Sequence, residues 1–341
     1  MAEVLTRAEA SALATAAFEG AGVAPGPAAA AAEVLVIAEM MGIATHGLKR
    51  VPAYGRRLDA GGIDATARIE VAAPLPAIRM IDGRGGLGPA VAARALDEAV
   101  AAARSSGIAI ALCRRSNHLG PLAPYLWRAA ERGVATIAMS TAMAMMAPAG
   151  GREARLGNNP LGIGVPDPGG RHVLLDMALS VAARSHIREA AAAGRPIPPG
   201  WATDAEGRPT EDAAAALAGL VLPAGGYKGY GLAAAVDLFA GVLAGAASLT
   251  AIADIAGAPD ARQDLGHAFI AIDTAALAPE AERRARLATF RRTLEETPPV
   301  DPAVPVRLPG DRALAALARA EVEGLSLDPA LVAAIRRMAD R

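Results

Sequence analysis

From Arg68 onward the chain changes rhythm. Short β-like runs at Arg68–Ala72, Ala77–Asp82, Ile108–Cys113, Val134–Ser140 and Val173–Asp176 alternate with helical stretches at Pro89–Arg104 and Pro121–Arg132. A parallel strand pair needs a long crossover, which a helix supplies, so this alternation predicts an α/β domain with at least partly parallel strands. Before the switch the pattern is helical throughout. Thr6-Arg7-Ala8-Glu9 is a capping box opening a helix that stops near Gly20 and Gly22. A second helix spans Pro27–Met41, and a third stretch runs from Gly42–Gly47 to about Asp59, ahead of a Gly61-Gly62 stop. We therefore expect a helical unit over residues 1–66, joined by residues 303–341, and an α/β unit over 67–302.

Later segments are less regular. Residues 157–170 and 194–210, rich in Gly and Pro, read as ordered loops. A long buried helix is expected near Lys228–Ala247, a strand at Ala268–Ile272, a charged helix at Pro279–Glu296 and a Pro-rich linker at 298–309. Two C-terminal helices follow, the second opened by Asp328-Pro329.

Composition narrows the partners. With 34 basic against 35 acidic residues the net charge is -1, too even to grip nucleic acid or an anionic membrane. The single Cys113 excludes an internal disulfide framework and a multi-cysteine zinc site. Met1-Ala2-Glu3 carries an acid where a signal peptide is basic, so we expect a cytoplasmic protein. Leu232–Leu249 is the most membrane-like stretch, but Asp237 interrupts it, which favours a buried helix over a spanning one. Alanine makes up about a quarter of the chain, so helix propensity is a weak guide to packing. Nearly every basic residue is arginine; the two lysines, Lys49 and Lys228, mark places where a compact ammonium can matter.

Gly83-Arg84-Gly85-Gly86-Leu87-Gly88 has the form of a dinucleotide fingerprint between a strand and a helix. The next strand ends in Cys113-Arg114-Arg115, with no acid for a ribose but arginines that suit a 2′-phosphate. With 36 glycines in the chain we favour the plainer reading, a tight turn with Pro89 in the first helical position.

Five histidines are available: His46, His118, His172, His186 and His267. No two lie four apart, so a local helical metal site is absent; one assembled from His46, His118 and a carboxylate stays open, as in a metal-dependent hydrolase. His46, Arg50 and Tyr54, spaced by four, share one face if the segment is helical. That face suits a small 2-oxo or 2-hydroxy acid, the guanidinium gripping the carboxylate and the imidazole exchanging a proton with the oxygen on C2. Asp176 follows the apolar run Val173–Leu175, where a carboxylate needs a partner; it either holds a histidine tautomer or caps the strand end. Asn117-His118-Leu119-Gly120 joins a strand to a helix, and its N–H groups could receive phosphate or a carboxamide. Gly225–Gly231 puts Lys228 at the head of a helix, either an anion site or a plain glycine-rich turn.

Taken in order, these segments resemble the malate/L-lactate dehydrogenase-like oxidoreductases, a family unrelated to the Rossmann-type lactate and malate dehydrogenases. It includes ureidoglycolate, sulfolactate and diketogulonate dehydrogenases and cyclic-imine carboxylate reductases. The resemblance is carried by Gly42–Tyr54, Asn117–Gly120, Ala147–Pro160, Leu175–Ser180, Gly200–Thr210, Gly225–Gly231, Gly266–Asp273 and Pro309–Asp311.

It implies a non-Rossmann NAD(P)-binding fold with a mixed sheet plus a helical domain, usually a homodimer, using NAD or NADP on a small 2-oxo or 2-hydroxy carboxylate or a cyclic imine carboxylate. His46 then moves the proton, Thr45 and Asp176 form a relay with it, and Arg50 holds the carboxylate beside Tyr54. In ureidoglycolate-type members the acid/base is the histidine matching His118, so both remain candidates. Nucleotide contacts carry over to His118, Leu119, Gly120, Ser140, Leu174, Leu175, Asp176, Met177, Ala178, Ser180, Lys228, Gly229, Gly310, Asp311 and Arg312. Three departures stand out: Thr45 replaces the usual serine, Ser185-His186 replaces a glycine–basic pair, and Pro309-Gly310-Asp311 replaces Pro-Gly-Glu.

Overall fold

The computed structural model describes residues 2–255 and 257–341. Strand β1 (Glu3–Leu5) leads into helices α1 (Arg7–Gly20), α2 (Pro25–Met40) and α3 (Arg50–Asp59), with a single 3-10 turn at Ala44–His46. The chain continues through β2 (Glu70–Leu75), β3 (Ile78–Asp82), α4 (Gly88–Ser106), β4 (Ile108–Ser116), α5 (Ala123–Ala130) and β5 (Val134–Ser140). Next come the short pair β6 (Ala144–Met146) and β7 (Leu156–Gly157), then β8 (Leu161–Val165) and β9 (Val173–Met177). Helix α6 (Arg184–Ala192), the hairpin β10 (Ala202–Thr203) and β11 (Pro209–Thr210), and α7 (Ala213–Ala218) enclose a small satellite core. Helix α8 (Tyr227–Asp237) runs into a π-helical turn at Leu238–Val242. The order closes with β12 (Leu265–Asp273), α9 (Glu280–Glu295), α10 (Asp311–Glu323), β13 (Leu325–Leu327) and α11 (Pro329–Ala339).

The architecture is a mixed α/β fold around a seven-stranded sheet of order β2-β3-β4-β12-β5-β8-β9. Only β3 and β4 pair in parallel, with α4 as their crossover; the other five pairs are antiparallel. There is thus less parallel pairing than the alternation suggests. Strand β12 comes from far downstream and inserts between β4 and β5, so two strands linked through α5 are not neighbours.

The ends of the chain meet. β1 pairs with β13, from Glu3 opposite Leu327 to Leu5 opposite Leu325, and α11 packs on α1 and α3. The Thr6 cap forms as a full capping box with Glu9, satisfying two N–H groups at the start of α1. One buried core runs through α1, α2, α4, α5 and α11.

Three expectations need correcting. The supposed loop at 157–170 begins on the last residue of β7 and contains all of β8. Strand β8 reads Leu-Gly-Ile-Gly-Val, and its glycines face α5: a Cβ on Gly162 would lie 3.0 Å from Leu126 Cδ1, and one on Gly164 3.1 Å from Leu126 Cβ. The residues that disguise the strand are those that let α5 lie flat on the sheet. The region 194–210 likewise holds the β10–β11 hairpin. The long buried helix is shorter and only half buried. Ala233, Val236 and Asp237 face inward, whereas Leu232, Leu238, Phe239, Val242 and Leu243 are exposed. Its uniformly apolar composition concealed which face meets the sheet. Among the described residues no helix is long and apolar enough to cross a membrane.

Candidate active site

The register gathers functional segments along one edge of the sheet. Leu265 opposite Ser116, His267 opposite Ser140 and Leu161 opposite both Met139 and Met177 place the ends of β4, β5 and β9 beside the starts of β12 and β8. The turn after β4 carries His118, β5 ends at Ser140, and β9 ends with Asp176 and Met177. The helical layer delivers His46 from the 3-10 turn and Arg50, Tyr54 and Arg57 from one face of α3.

Glu39 of α2 shapes the turn that presents His46. Its carboxylate accepts the Leu48 N–H at 2.8 Å, and burial pushes its pKa up. Gly47 lets the turn lie close on α2: a Cβ there would run into Glu39 Oε2 and fall 3.0 Å from Glu39 Cα and N, displacing that carboxylate. Within the turn the Thr45 hydroxyl lies 2.9 Å from His46 Nδ1. Arg50 donates from Nε to the Thr45 carbonyl at 2.9 Å, leaving its outer nitrogens without a hydrogen bond among the described residues. Burial, then the Arg50 charge, brings the His46 imidazole down to about 4.

His118 stands beside it, ring centroids 5.5 Å apart and planes inclined by 31°. Two groups meet its Nδ1: the Tyr54 hydroxyl, able to give or take a hydrogen bond, at 2.6 Å, and the Gly120 N–H, able only to give one, at 3.3 Å. A nitrogen that accepts the Gly120 N–H carries no proton of its own, so the Tyr54 hydroxyl donates to it as well and neutral His118 presents an N–H at Nε2. Burial, followed by the charges of Arg50, His46, His267 and Arg57, drives its pKa well below the ordinary histidine range. Tyr54, expected to touch substrate, is 3 % exposed and spends its hydroxyl on His118. It acts behind the histidine.

Asp176 is placed differently from the relay that the resemblance implies. Its Oδ2 accepts the Ala123 N–H at 2.8 Å, holding the first turn of α5, and no hydrogen bond joins it to His46. Burial raises its pKa against the pull of the Ala123 and Leu122 N–H groups. The carboxylate therefore fixes the start of α5, directly after the His118–Gly120 turn. The same placement keeps it from completing a three-ligand set with the two histidines, and among the described residues no three His, Cys, Asp or Glu groups converge as metal ligands.

Three neighbours have places in the site that sequence reasoning did not assign. Asn117, buried, donates from Nδ2 to the carbonyls of Gly85 and Gly86 at 2.9 Å each, and accepts from Arg57 at 3.0 Å. A Cβ on Gly88 would strike the carbonyls of Asn117 and His118. The glycine-rich turn is thus consumed in seating the His118 turn. His267, buried on β12, bridges Ser140 Oγ at 2.9 Å and Ser116 Oγ at 2.8 Å, and burial lowers it to about 3. Arg57 completes the α3 stripe at positions 50, 54 and 57, a spacing that could have revealed it.

The remaining expected nucleotide contacts divide. Ser140 is committed internally, its hydroxyl donating to the Thr141 carbonyl beside His267. Asp311 pairs with Arg291 at 2.8 Å and accepts the Leu308 N–H. Gly310, at φ +95°, packs against Leu174, whose N–H donates to the Pro309 carbonyl at 3.0 Å. Met177, Ala178 and Ser180 lead to the 223–229 turn through the Ala224 N–H on the Leu179 carbonyl at 3.0 Å and the Ser180–Pro223 bridge. There Gly225 and Gly226 both sit at φ +66°, and exposed Lys228 makes no ion pair among the described residues. A free ammonium on the first turn of an eleven-residue helix fits a nucleotide phosphate.

Sequence comparison now decides the kinship. Residues 5–336 match the family model described as malate/L-lactate dehydrogenase. The chain belongs to the malate/L-lactate dehydrogenase family. This dehydrogenase is 36% identical, over 99% of both chains, to the (2R)-3-sulfolactate dehydrogenase (NADP(+)) of Chromohalobacter salexigens. It is 35% identical, over 89% of both chains, to the Delta(1)-pyrroline-2-carboxylate/Delta(1)-piperideine-2-carboxylate reductase of Pseudomonas aeruginosa. The solved sulfolactate dehydrogenase of Methanocaldococcus jannaschii superposes with a TM-score of 0.90 at 30% identity, covering 99% of this chain and 97% of that one. The dehydrogenase is an NAD(P)-dependent oxidoreductase of small hydroxy or oxo acids.

Proposed function

We propose that the enzyme interconverts a small 2-oxo acid and its 2-hydroxy acid, with His46 moving the proton and His118 serving as a fixed hydrogen-bond donor to the oxygen on C2. The observation that carries this division is the difference at Nδ1. His46 faces a hydroxyl, which can donate or accept, so its ring can be neutral in either tautomer or protonated. His118 Nδ1 also faces the Gly120 N–H, which can only donate, so protonating that nitrogen would set two N–H groups against each other, although the Tyr54 hydroxyl could turn to accept.

Arg50, anchored at Nε on the Thr45 carbonyl, aims its free edge at the carboxylate. Pairing with that carboxylate removes part of the field that, after burial, holds His46 low. His46 thereby gains proton affinity when the acid binds, as a general acid requires. The reduced nicotinamide supplies the hydride. We assign its phosphates to Lys228 and the first turn of α8, with Gly229 holding the backbone close and exposed Arg312 nearby in sequence to Gly310. We read this binding as non-Rossmann, supported by the single parallel strand pair and the inward-facing Gly83–Gly88 turn.

Residues 1–66 with 303–341, and residues 67–302, are proposed as the two walls of the cleft. The exposed apolar stripe of α8 and its π-turn is proposed as the face of a homodimer; a single-chain mass in solution would refute it. The one thiol, Cys113, is free and buried, in keeping with a reducing cytoplasm.

A second reading, reduction of a cyclic imine carboxylate, is favoured by the Pseudomonas relative and uses the same Arg50 grip. The test is absorbance of NADH and NADPH mixed with enzyme and a panel of 2-oxo acids and cyclic imine carboxylates. Oxidation of the cofactor with a 2-oxo acid supports the main reading, oxidation only with an imine supports the second, and none with any member overturns both.

A further inference from the structure

Arg57 is the one α3 stripe residue without an evident task. It is 4 % exposed, yet its guanidinium meets only neutral acceptors: Asn117 Oδ1 at 3.0 Å, Gln263 Oε1 at 3.2 Å, and the carbonyls of Gly62 at 3.1 Å and Ala261 at 2.7 Å. Its Nε is buried with no partner. Among the described residues no carboxylate pairs with it, although the chain's other buried arginine, Arg291, bonds Asp311 and Glu295. A buried charge without a counter-ion is costly even where its N–H groups are bonded to neutral acceptors. The charge itself therefore calls for a reason.

We propose that Arg57 is a positioning residue for the hydride-transfer reaction, holding the His118 turn through Asn117 and adding an unpaired positive charge behind His118. The clamp is direct: Arg57 holds Asn117, and Asn117 holds the Gly85 and Gly86 carbonyls and precedes His118. The groups that face His118 are the Tyr54 hydroxyl at 2.6 Å, the Gly120 N–H at 3.3 Å and the His46 ring at 5.5 Å, and after burial the charges of Arg50, His46 and His267, with that of Arg57 added to them, disfavour its protonated form. Positive charge at this depth disfavours protonated histidine and favours an anionic substrate. Arg57 stays charged, because burial lowers its pKa only from a very high starting value.

This inference rests on reading His118 as facing substrate, but its first test needs no substrate. Gln263→Glu keeps the acceptor on Arg57 and supplies the missing counter-charge in nearly the same shape. Histidine NMR titration of the free protein should show the His118 midpoint moved upward relative to wild type. In assays with whichever acid the panel identifies, KM for that acid should rise roughly five-fold while KM for the nucleotide holds. A folded variant with an unmoved His118 titration would overturn the proposal, leaving Arg57 a structural clamp. If Gln263→Glu fails to fold, Arg57→Lys against Arg57→Met decides. The lysine variant, charged but without the fork, should retain wild-type KM for the acid within about two-fold, whereas the methionine variant should lose that affinity. Equal KM values in both would overturn it. Loss of all activity in wild type would instead strike the functional reading and leave the titration result standing.

Discussion

His46 and His118 share one cleft and one residue type, and both are held neutral by burial and by Arg50. Their second nitrogens separate them. Thr45 offers His46 a group that can give or take a hydrogen bond; His118 has, besides the Tyr54 hydroxyl, the Gly120 N–H, which can only give one. A proton carrier needs freedom to change protonation state, and an oxyanion donor needs to be kept from changing. What lies behind each ring therefore says more about its task than the ring does.

The sharpest way to break this comparison is His46→Gln. Losing the proton carrier should lower kcat about 10³-fold while leaving nucleotide affinity, read by nicotinamide fluorescence, within about two-fold. Wild-type turnover in that variant would reverse the assignment. The pH profile tests the same point without mutation. Oxidation needs His46 unprotonated, and its free-enzyme pKa is brought to about 4. The kcat/KM for oxidation should therefore be flat from pH 8 down to about 5 and fall only below that. A limb at the usual histidine pKa would show that burial and Arg50 do not act as described.

His118→Gln keeps an N–H donor but places it less well, so a smaller loss of about 10² in kcat is expected. If it exceeds the loss in His46→Gln, the two roles are exchanged. Tyr54→Phe leaves only Gly120 to fix the His118 tautomer, and about a tenfold fall is expected in kcat, not KM. A rise confined to KM would return Tyr54 to the substrate-contact role suggested by its spacing.

Much of this could be read from the residues alone, and the failures have physical causes. The Thr6–Glu9 box and the β3–α4–β4 unit depend on local chemistry and were legible. Strand β8 was not, because Gly162 and Gly164 serve the packing of α5 and carry no strand signal. The insertion of β12 between β4 and β5 is a long-range pairing to which local patterning is blind. In the site, the stripe of Arg50, Tyr54 and Arg57 is visible as helical spacing. Which member faces substrate depends on the His118 turn, brought there by a separate part of the chain. The two glycine-rich turns make the same point. Gly83–Gly88 matches a phosphate motif yet is closed by Asn117, while Gly225–Lys228 matches none and lies open.

The smallest expected effect comes from Thr45, where the family more often has serine. If its contribution is the hydroxyl that follows His46 through its protonation states, Thr45→Ser should keep kcat within about two-fold. The methyl group makes threonine stiff about χ1, so serine gives up some pre-orientation of Oγ while preserving both its donor and acceptor capacity. Thr45→Val is the control, since it keeps the branched shape and removes the hydroxyl; its loss should resemble that of Tyr54→Phe and exceed that of Thr45→Ser. If valine were tolerated and serine were not, shape rather than hydrogen bonding would matter behind His46. The contrast between an adaptable partner and a fixed one would then fail at its first histidine, whatever the larger substitutions had shown.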